Sequence, residues 1–466
     1  MSESLHTLSA QALYQHYADG SLSPVEVSEA ILARARQCNG DINAFSIIDE
    51  SGARQQAQAS AERWRNRSPL SVLDGVPVSI KDLVAVRGLV TRSGSLTTDP
   101  DAVAREDSPP VARLREAGAV LFGKTHTSEF GWKGITDTPL DGITRNPWDL
   151  SRSPGGSSGG AGAVLAAGIG PLAHGTDAGG SVRIPASFCG LYGIKPTFGR
   201  VPMAPNDSPY ATQSSNGVLA HTVRDAARML SILARPDHRD WWSAPDYGID
   251  FEAGLEDGIK GLRIAYSPGL GGTRPDPAVE SVVAGALRHF ETLGASVETV
   301  GPVFEPLRPV FEDYWKAGFA YRIKSIPEEK RQLLDPGLRQ LAEEGMTVGL
   351  DAYYAAVAAR ARLALTLAEF HQRYDLLVTP TTPTVAPPAD TVYHSAEYDR
   401  WEKAVPYTMP FNLTGQPAAS LPAGLSSEGL PVGLQIVGPR FAESRVLRAS
   451  WAFEKTAPFL FSAPMV

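Results

Sequence analysis

Cysteine is nearly absent from this 466-residue chain. Only Cys38 and Cys189 occur, in different segments, which excludes a disulfide framework and the zinc sites built on paired cysteines. The nine histidines show no metal-ligand spacing either, so no metal is expected. Long blocks of lysine or arginine are missing and the formal net charge is −8, which argues against a general electrostatic grip on nucleic acid or an acidic membrane surface. No apolar run approaches the roughly 18 residues of a membrane helix. The N-terminal MSESLHTLSAQALYQHYADG lacks the charged-then-apolar plan of a secretory signal. A reducing cytoplasm is the simplest location for such a chain. What is present, 43% hydrophobic and 20% charged residues, is the composition of an ordinary soluble globular protein. Neutral small molecules suit it better as ligands than polyanions do.

Punctuation and period place the elements. Ser23-Pro24-Val25-Glu26 is a capping box with proline at the first helical position, Val27, Ile31 and Ala35 share one face, and Gly40 lies where the helix is expected to stop. Strands are expected over 76–80, 119–122, 171–176, 262–266, 375–379, 419–421 and 432–437. Helices are expected over 108–117, 161–167 and 277–293, and from near Ser181. Residues 236–260 read as a loop-rich connection. From about 302 to 374 the apolar residues keep helical spacing with little strand signal, which predicts a helical cover near a substrate. Strands alternating with helices predict an α/β fold. The expected architecture is a single large domain over 1–466, with a mostly parallel mixed central sheet flanked by helices on both faces.

The chemistry concentrates between Arg152 and Gly199, RSPGGSSGGAGAVLAAGIGPLAHGTDAGGSVRIPASFCGLYGIKPTFG, where Ser157 and Ser181 each stand behind a glycine pair. Upstream, GVPVSIKD from Gly75 to Asp82 ends an apolar stretch in Lys81, where an amine can be desolvated. Ligands of open parallel sheets bind beyond the carboxyl ends of the strands. Lys81 and the Gly179-Gly180-Ser181 turn both follow strand-like runs, so they can converge. With Ser181 at a helix start, the N–H groups of Ala178, Gly179, Gly180 and Ser181 would face a carbonyl oxygen as it gains charge, forming an oxyanion hole. GGSSGG lacks the lysine-serine/threonine ending of a nucleotide P-loop. Gly155 to Gly159 also satisfies the G-x-S-x-G elbow, which would make Ser157 the nucleophile. That elbow needs a preceding strand, and TRNPWDLSRSP is turn-forming.

GVPVSIKD, GGSSGG, GTDAGGSVRIPASFCG and GIKPTFGRVP, in this order, resemble the core motifs of the amidase signature family of serine hydrolases, with a core signature region over about 70–225 and weaker likeness from about Leu8 to Phe453. The resemblance implies Ser181 as nucleophile, Ser157 as a bridging serine behind a cis Gly156–Ser157 peptide, and Lys81 as the ultimate base. Thr176, Asp177 and Arg183 match positions that hold this network in place. The implied reaction converts an amide to an acid plus ammonia or amine through an acyl-enzyme, with no metal or organic cofactor. Serine needs a base within hydrogen-bond reach. For Lys81 to serve, its pKa must fall from about 10.4 to about 7 or 8, at a cost on the order of 3 to 4 kcal/mol.

A second reading within the family is the A subunit of an aspartyl/glutamyl-tRNA amidotransferase. Against it, Ile184 occupies a place where that subfamily is expected to carry glutamine. A non-catalytic binding protein is disfavoured because Lys81, Ser157 and Ser181 are all present. The expected partner is a small-molecule amide, with no direct nucleic acid or membrane contact; a symmetric homodimer is compatible with the sequence. Lys124 and Lys195 have surroundings similar to those of Lys81. His126, His174 and His221 could serve a Ser-His-Asp triad but lack a partner pattern, and Cys189 reads as a packing residue. Specificity is assigned to 129–138, 203–215 and the helices after Pro302. There Phe130, Trp132 and Tyr210 point to an apolar or aromatic acyl group, with Trp132 and Trp148 alternatively in the core.

Overall fold

The apolar runs converge on one sheet. The computed structural model describes residues 4–205, 211–246, 248–393, 401 and 406–457. Its strands are β1 Phe45–Ile48, β2 Pro77–Lys81, β3 Val120–Thr125, the short β4 Asp137–Thr138 and β5 Gly142–Ile143, β6 Leu172–Asp177, β7 Tyr192–Lys195, β8 Ser215–Ala220, β9 Arg263–Tyr266, β10 Ser296–Thr299, β11 Leu376–Pro380, β12 Ala418–Leu425 and β13 Pro431–Val437. Eleven of them form a mixed sheet in the order β1-β3-β2-β6-β8-β7-β12-β13-β11-β9-β10, and β4 pairs with β5. Parallel ladders join β3-β2-β6 and β11-β9-β10. Antiparallel ladders run from β6 through β8, β7, β12 and β13 to β11. The α/β fold read from the alternation is therefore present, and β1, β7, β8 and β10 add strands to the sheet that the sequence reading did not place.

Side chains alternate across a strand, and the core divides accordingly. On β11, Leu376 and Val378 join one apolar cluster while Leu377 joins the other. The first cluster takes Val27, Ile31 and Ala35 from the Pro24–Ile42 helix. Its capping box forms as expected, with the Ser23 N–H donating to Glu26. The helix passes through Gly40 to end at Ile42, because Asn43, at φ 46°, supplies the left-handed stop and donates back to Asn39 O.

The second cluster lies under the expected helical cover. Helices Arg308–Ile323, Glu328–Arg331, Pro336–Gly345 and Leu350–Arg373 bring Phe311, Trp315, Leu338 and Leu363 onto Phe130, Trp132 and Ile184 of the motif region. Polar contacts fix this cover to the segment after β3. The Trp315 indole N–H donates to Trp132 O at 2.9 Å, and Lys133 Nζ bridges Asp137 and Asp335 at 2.9 and 2.8 Å. Buried Glu129 accepts from the Ser95 hydroxyl and the Asp335 N–H; burial raises its pKa to about 7.

Candidate active site

β2 and β6 are parallel neighbours with Ile80 opposite His174, so both release their chains at one edge of the sheet. Lys81 closes β2, and Thr176 and Asp177 close β6. Lys81 is fully buried, and its Nζ lies 2.7 Å from Ser157 Oγ and 3.0 Å from Thr176 Oγ1. Burial pulls its pKa well below the ordinary lysine value, while Asp177 pulls the other way. Burial prevails because the Asp177 charge is already matched: Arg183 Nη2 and Nε donate to its two carboxylate oxygens at 2.8 and 3.0 Å. A lysine held neutral can accept a proton, which an ammonium cannot.

The competing lysines have different surroundings. Lys124 pairs with buried Asp82 at 2.6 Å and donates to Val90 O and Thr91 Oγ1. Lys195, drawn down to about 7 by burial, donates to Pro196 O. Neither of these bonds reaches a serine. His126 contacts Asn43 O and faces Asp141 at 3.5 Å, and His174 contacts Asn216 Oδ1; among the described residues neither bonds a serine, so neither forms a triad.

Ser157 stands in a turn ahead of the Gly159–Ala166 helix, after a cis Gly156–Ser157 peptide. No strand leads directly into this turn, so the elbow reading fails at Ser157. A Cβ on Gly156 would come within 2.6 Å of the Ile135 carbonyl carbon, so glycine is what lets the turn approach that backbone. Ser181 follows β6 and precedes the Arg183–Cys189 helix. Ser158 ties the pieces together, its N–H donating to Ser181 O and its hydroxyl to Thr176 O, each at 3.2 Å. Ser157, Thr176 and Ser181 line one cavity of about 290 Å³. Among the described residues, no hydrogen bond joins Ser181 Oγ to Ser157 Oγ.

The Asp177 carboxylate organises the turn between them. It accepts from the N–H groups of Gly180 at 2.8 Å and Val182 at 3.1 Å. This corrects one expected oxyanion donor: the Gly180 N–H is committed to Asp177. The N–H groups of Ala178, Gly179 and Ser181 remain as the candidates. Gly180 has φ 131°, and a Cβ there would meet Thr408 Cβ at 2.7 Å and Ile184 Cδ1 at 2.8 Å. Gly180→Ala is therefore expected to displace the turn and lower kcat by on the order of 10²-fold, the scale of losing one oxyanion donor. Steady-state kinetics beside a thermal melt separates this from unfolding.

The pocket expectations divide. Phe130 lines the cavity, at φ 51° and with its N–H donating to Ser93 O. Trp132 is a correction: it is 1% exposed and belongs to the core under the cover, where the Trp315 and Lys133 contacts hold it. Tyr210 lies outside the described residues. Met203 and Pro205, from the 203–215 segment, and Arg322, from the helices after Pro302, stand on the cavity wall as those segments were expected to. Missed by the sequence reading were Leu83 and Val84 on the same wall, and the distant partners of Arg183. Its Nη1 donates to Thr408 O and Gln435 Oε1, and its Nη2 to Asn412 Oδ1. One signal was available, since Gln435 is a lone amide inside the apolar strand PVGLQIV and a buried polar group needs a partner.

Comparison with known proteins bears on the same chemistry. The family model described as Amidase matches residues 26–447. A solved bacterial aryl acylamidase of the amidase signature enzymes superposes with a TM-score of 0.90 at 30% identity, over 99% of both chains. The chain belongs to the amidase signature family. Within it, an acylamidase of Rhodococcus erythropolis is 37% identical over 99% of this chain and 98% of its own length. The glutamyl-tRNA(Gln) amidotransferase A subunit of Psychrobacter sp. (strain PRwf-1) is 34% identical over 97% and 96%. Among the described residues no helix is long and apolar enough to cross a membrane.

Proposed function

We propose that this family member is a free-standing amidase that cleaves a carboxylic amide through an acyl-enzyme on Ser181. The observation that carries the reading is the 2.7 Å contact between Ser157 Oγ and a fully buried lysine whose pKa is depressed, on the wall that also holds Ser181. In this cycle Ser181 Oγ attacks the amide carbon, its proton passes to Ser157, and the Ser157 proton passes to neutral Lys81. The chain reverses to protonate the departing amine. Water deprotonated along the same path then releases the acid and frees Ser181. Ala178, Gly179 and Ser181 N–H groups bind the oxyanion in both halves, and Asp177, Arg183 and Thr176 hold their positions.

The test is a fluorophosphonate adduct located by peptide mass spectrometry across a pH series. The expected adduct is on Ser181. Its rate should climb as pH rises through the lowered Lys81 pKa and level off above it, because the neutral amine is the active form. An adduct on Ser157, or none, would remove the reading. The amidotransferase relatives supply the second reading, in which the chain works only inside a tRNA-dependent complex. Ile184 speaks against it: the side chain is fully buried in the apolar cluster with Phe130 and Phe188. Hydrolysis of a small amide by the isolated chain favours the amidase; activity that requires tRNA and partner chains favours the amidotransferase.

A further inference from the structure

The cavity beside Ser181 is lined by apolar and neutral polar side chains with one exception. Among its described lining residues, Arg322 alone is ionisable. Arg322 is in the last turn of the Arg308–Ile323 helix of the cover, so the helical layer delivers a cation into a pocket otherwise walled by residues such as Leu83, Val84, Met203 and Pro205. Its guanidinium carbon sits 4.3 Å from the centroid of the Phe130 ring, and Phe130 itself lines the cavity. That contact seats the guanidinium against the ring face. The Nε is buried without a hydrogen-bond partner, and no described carboxylate pairs with the group. A half-buried cation in this condition lacks the acceptor that such groups ordinarily have.

We infer that Arg322 is the anion-binding residue of the pocket, and that the amide hydrolysed carries a carboxylate separated from the scissile bond by an apolar segment. This inference rests on the Ser181 amidase reading. A carboxylate matches the planar fork of arginine in two parallel hydrogen bonds. Arg322 and Ser181 line the same cavity as Leu83, Val84, Met203 and Pro205, whose apolar side chains suit an apolar segment joining the two groups. The carboxylate can stand on the acyl side, as in the half-amide of a dicarboxylic acid, or on the amine side, as in an N-acyl aminobenzoate.

The experiment compares three matched sets of substrates: half-anilides of glutaric acid against their methyl esters, N-butyryl aminobenzoates against N-butyryl anilines, and an acyl anilide bearing a terminal ammonium. Wild type is expected to prefer one carboxylate series over its neutral counterpart by about 10- to 100-fold in kcat/KM, mostly through KM, the scale of a hydrogen bond to a charged group. The series preferred identifies the side that carries the charge. Arg322→Gln is expected to collapse that ratio towards one, and Arg322→Glu to turn the preference towards the ammonium substrate. Equal rates for charged and neutral substrates in wild type would overturn the inference without any variant. So would a proportional loss on all substrates in Arg322→Gln, which marks a structural role. Fluorophosphonate labelling of Ser181 in the same samples keeps the two readings apart: labelling with no charge preference rejects only the anion site, whereas absent labelling rejects the amidase.

Discussion

Lys81→Met is expected to lower kcat/KM for amide hydrolysis by on the order of 10⁴-fold, the upper range for removing a positioned base. Methionine keeps the length and the apolar stem of lysine, so the fully buried site stays filled and the loss falls on proton transfer. The lysine amine has hydroxyl contacts at Ser157 and Thr176, which the thioether cannot replace. The melting temperature should nevertheless change little, since a buried amine is itself costly and its removal offsets the two lost bonds. Ser157→Ala should cost a comparable factor because it cuts the same proton path. The informative sample is the double variant. Groups that act as one relay are non-additive, so Lys81→Met with Ser157→Ala should be about as slow as the slower single variant. A loss near the product of the two single effects would mean that lysine and serine act independently, and the relay would have to be abandoned. Single-turnover kinetics on all three variants, with thermal melts, provides the comparison.

The parts of this site that could be read from sequence are those written locally. Lys81 ends a buried strand rich in valine and isoleucine, and Ser157 and Ser181 stand behind glycines whose lack of Cβ is required by Ile135 and Thr408. Such demands leave a signature within a few residues. The strands β2, β3, β9, β11 and β13 were legible for the same reason, as largely apolar runs bounded by turn formers. β7 and β8 were not, because YGIK and SNGVLA are short and glycine-interrupted, and tertiary pairing with β6 and β12 decides their state. The reading of Trp132 as a pocket residue failed on direction: Phe130, in a left-handed backbone conformation, turns toward the cavity while Trp132 turns under the cover. The expected Gly180 donor failed because its N–H has a nearer acceptor in Asp177, which the spacing of the motif does not reveal. Arg322 and the Thr408, Asn412 and Gln435 partners of Arg183 lie far along the chain from the motifs they serve. Only folding brings them together.

Those distant partners underlie the largest expected effect on stability. Arg183 and Asp177 are both fully buried. Arg183 uses three nitrogens to hold Asp177, Thr408 O, Gln435 and Asn412 at 2.7 to 3.0 Å. Arg183→Met would leave Asp177 as an uncompensated charge in the core, which costs about 3 to 5 kcal/mol. Lysine should not rescue it, since one ammonium cannot span the same fork of acceptors. Adding Asp177→Asn to Arg183→Met should recover part of the loss by deleting the stranded charge, a coupling that a cycle of denaturant titrations measures. The pH dependence has a definite sign. In wild type, burial pushes the Asp177 carboxyl up, but Arg183 outweighs it and holds the pKa below the ordinary range. The stabilisation from this pair is therefore complete above the unfolded value of about 3.9 and is lost as pH falls through the depressed folded value. In Arg183→Met the same carboxyl faces burial without its counter-charge, so it should protonate readily. The gap between variant and wild type should accordingly be widest at neutral pH and narrow on acidification. A variant with a wild-type denaturation midpoint at pH 7, or a gap that widens towards pH 4, would show that Asp177 is held by its backbone donors at Gly180 and Val182 and by Asn412, with Arg183 incidental to the turn that carries Ser181.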